Sequence, residues 1–316
     1  MIDLELFKTG KYLGLGCSTF GGSNSKNVAK KALDYCFENG ITYFDVARSY
    51  GYGEAESIVG SFVENKRKRE QVVIATKFGI VPPPKIPFKS LLTYGMRQLR
   101  KVMPASNNMI KNVSGKSLNK KPFSAEFARI SLEKSLKELK TEYIDIYLLH
   151  ECTREDILRD DIKYMLEKEK EKGKIRAWGG TISSREDLKN VAGSYGLFDV
   201  LQFPFGTDDV YNETINEEQY LKVVFSILNY DKESKDLNQE IFRKLVITYP
   251  QLSTLKSFSE LMLLIAFKQL KAGVVLLSMT KKNHIDSNLK ICNSLQVSES
   301  EIPEIISSIN NSKYAH

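Results

Sequence analysis

The stretch NVAKKALDYCFENGITYFDV, residues 27–46, contains the structural unit on which we base the fold prediction. Its first part, Asn27–Glu38, spaces apolar side chains as an amphipathic helix does, and Asn39-Gly40 is a typical helix stop signal. Its last part, Thr42–Val46, is a short apolar run of the kind found in buried strands. The stretch therefore predicts a helix followed by a strand.

The same alternation recurs along the chain, which favours repeated βα units and a parallel sheet. The strand candidates are Tyr12–Cys17, Thr42–Val46, Val72–Lys77, Ile144–Leu149, Ile175–Thr181, Val200–Phe203, Lys222–Ser226 and Val274–Leu277. The helix candidates are Asn27–Glu38, Glu54–Val63, Ala125–Leu139, Ile157–Lys172, Arg185–Ala192, Phe258–Lys271 and His284–Leu295. Because eight βα units close a barrel, we predict an α/β fold, a (β/α)8 TIM barrel, that forms one domain over residues 1–316.

An open doubly wound sheet is the alternative for βα repeats. Such a fold would carry a GxGxxG fingerprint between its first strand and the following helix. The nearest stretch here, Gly14–Gly22, has the wrong glycine spacing. The barrel is therefore favoured, and its active site should lie at the carboxyl ends of the strands.

Length and composition fit one domain of this kind. The chain has 316 residues, of which 42% are apolar and 27% charged, the balance of a soluble globular protein. No apolar run reaches the roughly 18 residues of a membrane span, and the start, MIDLELFKTGKYLG, lacks the pattern of a signal peptide. We therefore expect a cytoplasmic protein whose four cysteines are free thiols.

The positive charge of the chain is concentrated in one segment. The formal net charge is +7, yet residues 80–125 hold nine Lys and Arg and no Asp or Glu, which leaves −2 for the rest. The basic run Lys66–Arg69 follows a helix pattern and is interpreted as a solvated face that complements the helix dipole. We therefore predict no nucleic-acid partner.

Four ionisable side chains stand at or just beyond the ends of predicted strands. Asp45 ends the second strand, Tyr50 follows it by five residues, Lys77 ends the third strand, and His150 follows the fourth. Taken singly, each has an ordinary structural explanation, such as a helix cap, a solvated strand end or a core histidine. Because the carboxyl ends of all barrel strands meet at one mouth, we expect the four to come together there.

Together these four groups predict a site for carbonyl reduction. A tyrosine, with an ordinary pKa of about 10, exchanges a proton near neutrality only if cations stabilise its phenolate. Lys77 would supply that charge, Asp45 would hold Lys77, and His150 would donate a hydrogen bond to the substrate oxygen. No bound metal is predicted, because the chain has three histidines and the other two, His284 and His316, show no metal-site spacing.

The chain resembles the aldo-keto reductase superfamily. The resemblance rests on the motifs FDVARSYG at residues 44–51, IATKFG at residues 74–79 and DIYLLH at residues 145–150. It implies that Asp45, Tyr50, Lys77 and His150 form the family's catalytic tetrad. It also implies a nicotinamide cofactor that lies extended across the barrel mouth, NADPH with NADH as the alternative, and no Rossmann domain.

The resemblance assigns a set of residues to this cofactor. Phe225 resembles the residue that stacks on the nicotinamide, Gln202 the glutamine that binds its carboxamide, and Asn288 the residue at the adenine. Lys281 and Lys282, at a helix start that favours anions, would neutralise a 2′-phosphate, although they are also explained as two solvated lysines. The full set is Cys17, Ser18, Thr181, Gln202, Phe225, Ser226, Leu228, Ser278, Thr280, Lys281, Lys282 and Asn288. Where the family has Ser-Asn this chain has Thr181-Ile182, and Ile182 cannot hydrogen-bond.

The segment of residues 80–125 is predicted as a long basic insertion after the third strand. Residues 88–103 have the period of an amphipathic helix with a basic face. Three interpretations of this helix stay open. Its apolar face packs on the barrel rim while its basic face is only solvated, or it lies on a membrane surface. Alternatively, it binds an anionic substrate, such as a phosphorylated or nucleotide-linked sugar, through Arg97, Arg100 and Lys101.

Two kinds of function are compatible with these features. The first is an NAD(P)H-dependent oxidoreductase that reduces an aldehyde or ketone with Tyr50 as general acid, or that oxidises a sugar-like alcohol in the reverse direction. The second is a regulatory protein that keeps the fold and the cofactor pocket but turns over little substrate. The complete tetrad favours the enzyme.

Overall fold

The fold of the described residues is a closed parallel barrel. The computed structural model describes residues 1–64, 66–82, 123–192, 196–228, 235–294 and 297–314. Each strand pairs in parallel with the next, and the first pairs with the last. The strands are β1 Lys11–Gly16, β2 Tyr43–Asp45, β3 Val73–Phe78, β4 Ile144–Leu149, β5 Ile175–Thr181, β6 Val200–Pro204, β7 Leu221–Phe225 and β8 Gly273–Leu277. The predicted (β/α)8 barrel is confirmed, and every predicted strand end lies within one residue of the observed one.

Helices surround the barrel and connect its strands. They are α1 Leu6–Thr9, α2 Lys26–Glu38, α3 Ala55–Val63, α4 Lys66–Glu70, α5 Ala125–Leu139, α6 Arg154–Ile157, α7 Asp160–Glu171, α8 Arg185–Ala192, α9 Asp209–Asn216, α10 Lys235–Thr248, α11 Phe258–Gln269, α12 Lys282–Cys292 and α13 Ile302–Tyr314. Serine side chains cap several of these helices, as Ser25 does for α2 and Ser124 for α5.

The predicted helix Ile157–Lys172 is confirmed over Asp160–Glu171, but its predicted start is three residues too early. The structure has two helices there, because α6 is a short turn whose capping box joins Thr153 and Asp156. Arg159 then takes an extended backbone conformation and starts α7. The predicted helix His284–Leu295 is displaced toward the N-terminus, since α12 begins at Lys282 and ends at Cys292.

The alternation of side chains along the strands separates two cores. Inward-facing residues such as Val73, Ile146 and Val223 fill the barrel, and Phe7 of α1 closes its amino-terminal end against the Tyr43 ring, with the ring centroids 5.7 Å apart. Outward-facing residues pack against the helices in a larger second core. Over the described residues, the barrel interior is therefore filled up to its carboxyl end, where a cavity remains.

The basic insertion is entered and left at two described points. The chain is described up to Pro82 after β3 and again from Phe123, whose ring packs edge-on against Phe78 at a centroid distance of 6.0 Å. The predicted amphipathic helix of residues 88–103, with Arg97, Arg100 and Lys101, lies outside the described residues.

No helix in the described ranges is both long enough and apolar enough to cross a membrane. The same ranges hold no group of three His, Cys, Asp or Glu side chains arranged to bind a metal ion. The prediction that no metal is bound stays a prediction.

Candidate active site

The inward-facing columns of β2 and β3 end in the charged residues of the predicted tetrad. Tyr43 of β2 and Ala75 of β3 belong to the barrel interior, so Asp45 and Lys77, each two residues further along, face the same interior. Both are almost fully buried, with 3% and 1% of their surface exposed. Because side chains alternate along a strand with a period of two, Asp45 and Lys77 lie side by side at the carboxyl end of the barrel.

Lys77 makes three hydrogen bonds at the carboxyl end of the barrel. Its Nζ donates to Asp45 Oδ1 at 2.5 Å, to the carbonyl oxygen of Val46 at 3.2 Å and to the Tyr50 hydroxyl at 3.3 Å. A buried ammonium is costly unless it is paired and hydrogen-bonded, and here three acceptors satisfy its three donors. The geometry therefore fixes Lys77 as a cation beside the Tyr50 phenol.

The loop after β2 has an unusual backbone conformation at the two residues that follow Tyr50. Gly51 and Tyr52 have positive φ angles of 57° and 60°, and the second is strained because it is not glycine. A Cβ on Gly51 would lie 1.6 Å from the carbonyl oxygen of Phe20, so the loop after β1 packs directly on this turn. Glycine is required at that position, and the Tyr50 side chain is held over the barrel as a result.

His150 completes the group from β4. Its backbone N–H donates to the carbonyl of Phe78 at 2.7 Å, which extends the pairing of β3 and β4 by one residue. Its ring stands edge-on to that of Tyr50, at a centroid distance of 5.7 Å and an angle of 83°. The side chain is 7% exposed, so His150 is buried next to the phenol and faces the same opening.

Burial and charge act on the Tyr50 phenol in opposite directions. Burial raises the pKa of Tyr50, and the adjacent Lys77 ammonium lowers it by a smaller amount, so the net pKa lies above the ordinary value. Lys77 thus acts in the predicted direction, toward stabilising the phenolate, and burial outweighs its effect on the pKa of Tyr50. For Lys77, burial lowers the pKa, but Asp45 and Tyr50 together raise it further, and the ammonium stays charged at neutral pH.

Two further hydrogen bonds connect β5 and β6 to Asp45. The Thr181 hydroxyl donates to Gln202 Oε1 at 3.0 Å, and Gln202 Nε2 donates to Asp45 Oδ1 at 3.2 Å. Because an amide has two N–H groups and two lone pairs, Gln202 keeps capacity for one more donor and acceptor contact. Ile182, in contrast, is fully buried in the outer core and faces away from the hydrogen bonds of Thr181 and Gln202.

These side chains border a cavity of about 350 Å³ at the carboxyl end of the barrel. Its lining residues are Gly16, Ser18, Asp45, Tyr50, His150, Glu151, Thr181, Ser183, Gln202, Phe225, Ser226, Ile227, Leu228, Leu276, Leu277 and Ser278. The structure thus brings together three members of the predicted tetrad at the cavity wall, with Lys77 directly behind Tyr50. It also places seven of the twelve predicted cofactor residues on the same wall, namely Ser18, Thr181, Gln202, Phe225, Ser226, Leu228 and Ser278.

The remaining predicted cofactor residues lie elsewhere. Cys17 is fully buried, its thiol directed to the Leu15 carbonyl at 3.7 Å, and its side chain lines no part of this cavity. Lys281 and Lys282 are exposed at the start of α12, and Lys282 Nζ lies 4.9 Å from the centroid of the Tyr35 ring. The half-buried Thr280 and Asn288 belong to this second group, outside the cavity.

Two polar cavity residues were not predicted from the sequence. Glu151 follows His150 with a positive φ of 55°, and Ser183 follows the end of β5. Each lies two residues beyond the end of a strand, and this position was the available signal, because barrel active sites are built from the loops at the carboxyl ends of strands. The positive φ of Glu151 had no sequence signal, since the left-handed conformation is uncommon outside glycine.

Comparison with known proteins identifies the family. The model of the aldo/keto reductase family matches residues 12–226, more than half of the sequence, so the chain belongs to the aldo/keto reductase family. The match includes Asp45, Tyr50, Lys77 and His150 and ends before β8.

Individual relatives are more distant. The chain is 32% identical to the uncharacterized oxidoreductase YqkF of Bacillus subtilis over 167 residues, which are 53% of this chain and 43% of that protein. It is 25% identical to the aldo-keto reductase yakc, NADP(+), of Schizosaccharomyces pombe over 58% of this chain and 46% of that protein. The chain therefore spans less than half the length of these two curated relatives.

One solved structure extends the likeness to nearly the whole fold. An aldo-keto reductase of Bacillus halodurans, in its holo form, superposes with a TM-score of 0.68 over 94% of this chain and 91% of that chain. The two sequences are 20% identical over this superposition, so the likeness shows the fold alone.

Proposed function

We propose that the protein is an NAD(P)H-dependent reductase that converts an aldehyde or a ketone to the alcohol, with Tyr50 as the proton donor. The observation that carries this proposal is the 3.3 Å contact between the Tyr50 hydroxyl and Lys77 Nζ at the wall of an open cavity. Membership of the aldo/keto reductase family supports it.

The donors around the cavity fit a nicotinamide cofactor. Thr181 and Gln202 present a hydroxyl and an amide that would hold the carboxamide, and Phe225 presents a ring beside them. The hydroxyls of Ser18 and Ser278, 3.4 Å apart across the ends of β1 and β8, would bind the pyrophosphate. When bound, the cofactor supplies a hydride to the carbonyl carbon.

The proton chemistry falls to the tetrad. Because burial keeps the pKa of Tyr50 above its ordinary value, the phenol is protonated at neutral pH and can donate to the substrate oxygen. Lys77 stabilises the phenolate that results, and Asp45 keeps Lys77 oriented. His150 would donate a hydrogen bond to the same oxygen, where negative charge develops during reduction.

The preferred cofactor is proposed to be NADPH. The helix α12 starts at Lys282 and its N-cap, Lys281, makes no side-chain capping bond, so the free backbone N–H groups of the first turn and two exposed lysines lie at the same helix end. That arrangement suits a 2′-phosphate, with Asn288 one to two turns further along the same helix at the adenine. The Schizosaccharomyces pombe relative, which carries NADP(+) in its name, supports the same preference.

The test is direct. Purified protein is mixed with NADPH and a panel of aldehydes and ketones, and the loss of NADPH absorbance is followed. Turnover that depends on the carbonyl substrate is the expected result. Tight NADPH binding with no turnover across the panel would contradict the reductase and favour a regulatory, cofactor-binding role.

A further inference from the structure

Glu56 is a buried carboxylate near the candidate site that the proposed chemistry does not use. It lies on α3, is 3% exposed, and its Oε1 accepts a hydrogen bond from the Thr76 hydroxyl at 2.7 Å. Burial raises the pKa of Glu56, while the Thr76 hydroxyl and the charge of Arg48 oppose that rise. Removing a carboxylate from water is unfavourable unless other contacts compensate for it. The contacts of Glu56 therefore indicate its role.

The hydrogen bond between Glu56 and Thr76 lies directly behind the catalytic pair. Thr76 precedes Lys77 on β3, and because side chains alternate along a strand, Thr76 faces the helices while Lys77 faces the barrel interior. Glu56 lies in the first turn of α3, which begins just after the loop that carries Tyr50. The bond therefore ties the segment that bears the phenol to the strand that bears the ammonium.

We propose that Glu56 is a positioning residue that, through Thr76, holds Lys77 within hydrogen-bond reach of Tyr50. The inference rests on the proposed role of Tyr50 as proton donor. The distance from Lys77 Nζ to the Tyr50 hydroxyl, 3.3 Å, is at the long end of hydrogen-bond distances, so a small displacement of β3 would lose the contact.

The Tyr50 loop needs such support because it is strained. Tyr52 has a φ of 60°, a conformation that persists only where the surroundings hold it. Arg48, in the same loop, donates from its guanidinium to Ser131 of α5 at 3.0 Å and attracts Glu56. The other titratable groups near Glu56 are Glu138 of α5 and Tyr147 of β4. Helix, strand and loop thus meet at this one carboxylate.

The test compares two buried threonines. Thr76→Val removes only the hydroxyl that bonds Glu56. Thr214→Val is the matched control, because Thr214 is also fully buried and donates at 2.7 Å, to the carbonyl of Val210 within α9. We expect Thr76→Val to lower kcat by about tenfold or more, since small misplacements of catalytic groups are costly, with KM and NADPH affinity close to wild type. Thr214→Val should lose thermal stability and leave kcat unchanged.

A second pair of variants separates the hydrogen bond from folding. Glu56→Gln keeps an oxygen that accepts from Thr76 and should retain most of the activity, whereas Glu56→Leu should behave like Thr76→Val. The pKa of Tyr50, followed by NMR of tyrosine labelled with ¹³C at Cζ and assigned with Tyr50→Phe, should rise in Thr76→Val and in Glu56→Leu as Lys77 moves away.

The outcomes distinguish this inference from the proposed function. If Thr76→Val and Glu56→Leu lose only thermal stability, and both kcat and the pKa of Tyr50 stay at wild-type values, the positioning role is wrong. If the wild type turns over no carbonyl substrate, the proposed function fails, yet the NMR titration of Tyr50 still decides whether Glu56 sets its distance from Lys77.

Discussion

The Lys77 ammonium nitrogen lies 3.3 Å from the Tyr50 hydroxyl oxygen, and this contact joins the end of β3 to the loop after β2. The phenol thus has one cationic neighbour that is itself anchored, since the same nitrogen donates to Asp45 at 2.5 Å. A proton leaving Tyr50 would leave behind a phenolate that is stabilised at once. Replacement of Tyr50 or of Lys77 removes this contact from one side or the other.

Tyr50→Phe should abolish nearly all turnover and leave cofactor affinity close to wild type. The variant removes the hydroxyl that donates the proton but keeps the ring, and loss of a general acid costs about 10²- to 10⁴-fold in rate. The measurement is kcat for carbonyl reduction together with the Kd for NADPH from fluorescence titration. Tyr164→Phe is the matched control, because Tyr164 is 63% exposed on α7. A near-normal kcat in Tyr50→Phe would contradict the mechanism.

Lys77→Met should lower kcat and move the alkaline limb of the pH profile upward. Lys77 lowers the pKa of Tyr50, so its loss lets that pKa rise further. Reduction uses the protonated phenol, so activity is present below the pKa of Tyr50 and is lost as pH rises through it. A higher pKa therefore shifts this loss to higher pH, while the less stabilised phenolate slows the reaction throughout. An alkaline limb that moves to lower pH would show that Lys77 does not act on Tyr50 in this way.

The barrel and the tetrad could be predicted because both leave local marks in the sequence. A parallel strand buried on both faces appears in the sequence as a continuous apolar run, as Val274–Leu277 does, and the ends of the run predict the ends of the strand. Asp45 and Lys77 interrupt such runs at their carboxyl ends with charge, which a barrel interior accommodates only at its open end.

Other features depend on contacts that no local pattern encodes. The resemblance assigned Cys17 to the cofactor, but Cys17 follows β1 with its thiol buried, and the direction of that side chain depends on packing. The net pKa of Tyr50 depends on how deeply the phenol is buried, which spacing does not report. The helix α7 begins only at Asp160 because the backbone of Arg159 is extended. The pattern of polar and apolar residues gives no sign of this, since it continues through the stretch without a change.

Replacing Lys281 and Lys282 with Ala should weaken NADPH binding much more than NADH binding. The two cofactors differ by the 2′-phosphate, and only that group would gain from two ammonium groups at the start of α12. The Kd of each cofactor is measured at low and high ionic strength, because salt screens charge pairs at an exposed site. Lys290→Ala, in the last turn of the same helix, is the control. Equal weakening of both cofactors would assign the two lysines to the solvated surface.

The close packing of α3 on α5 gives a prediction about stability. A Cβ on Gly60 of α3 would lie 2.3 Å from the carbonyl oxygen of Glu138 and 2.8 Å from the backbone of Leu139. Neither atom belongs to a flexible side chain, so Gly60→Ala forces the two helices apart and should lower the free energy of unfolding by about 1–3 kcal/mol. Alanine otherwise favours a helix over glycine, so a loss would report the contact alone.

Urea unfolding of Gly60→Ala is compared with that of Ser61→Ala, the next residue in the same helix. Ser61 is exposed, and its hydroxyl bonds only the Ser57 carbonyl one turn earlier, so its replacement should leave the midpoint close to wild type. Since α3 also carries Glu56, separation of the helices in Gly60→Ala should reduce kcat in the folded protein. A midpoint for Gly60→Ala equal to that of Ser61→Ala would mean that α3 and α5 lie further apart than this packing requires.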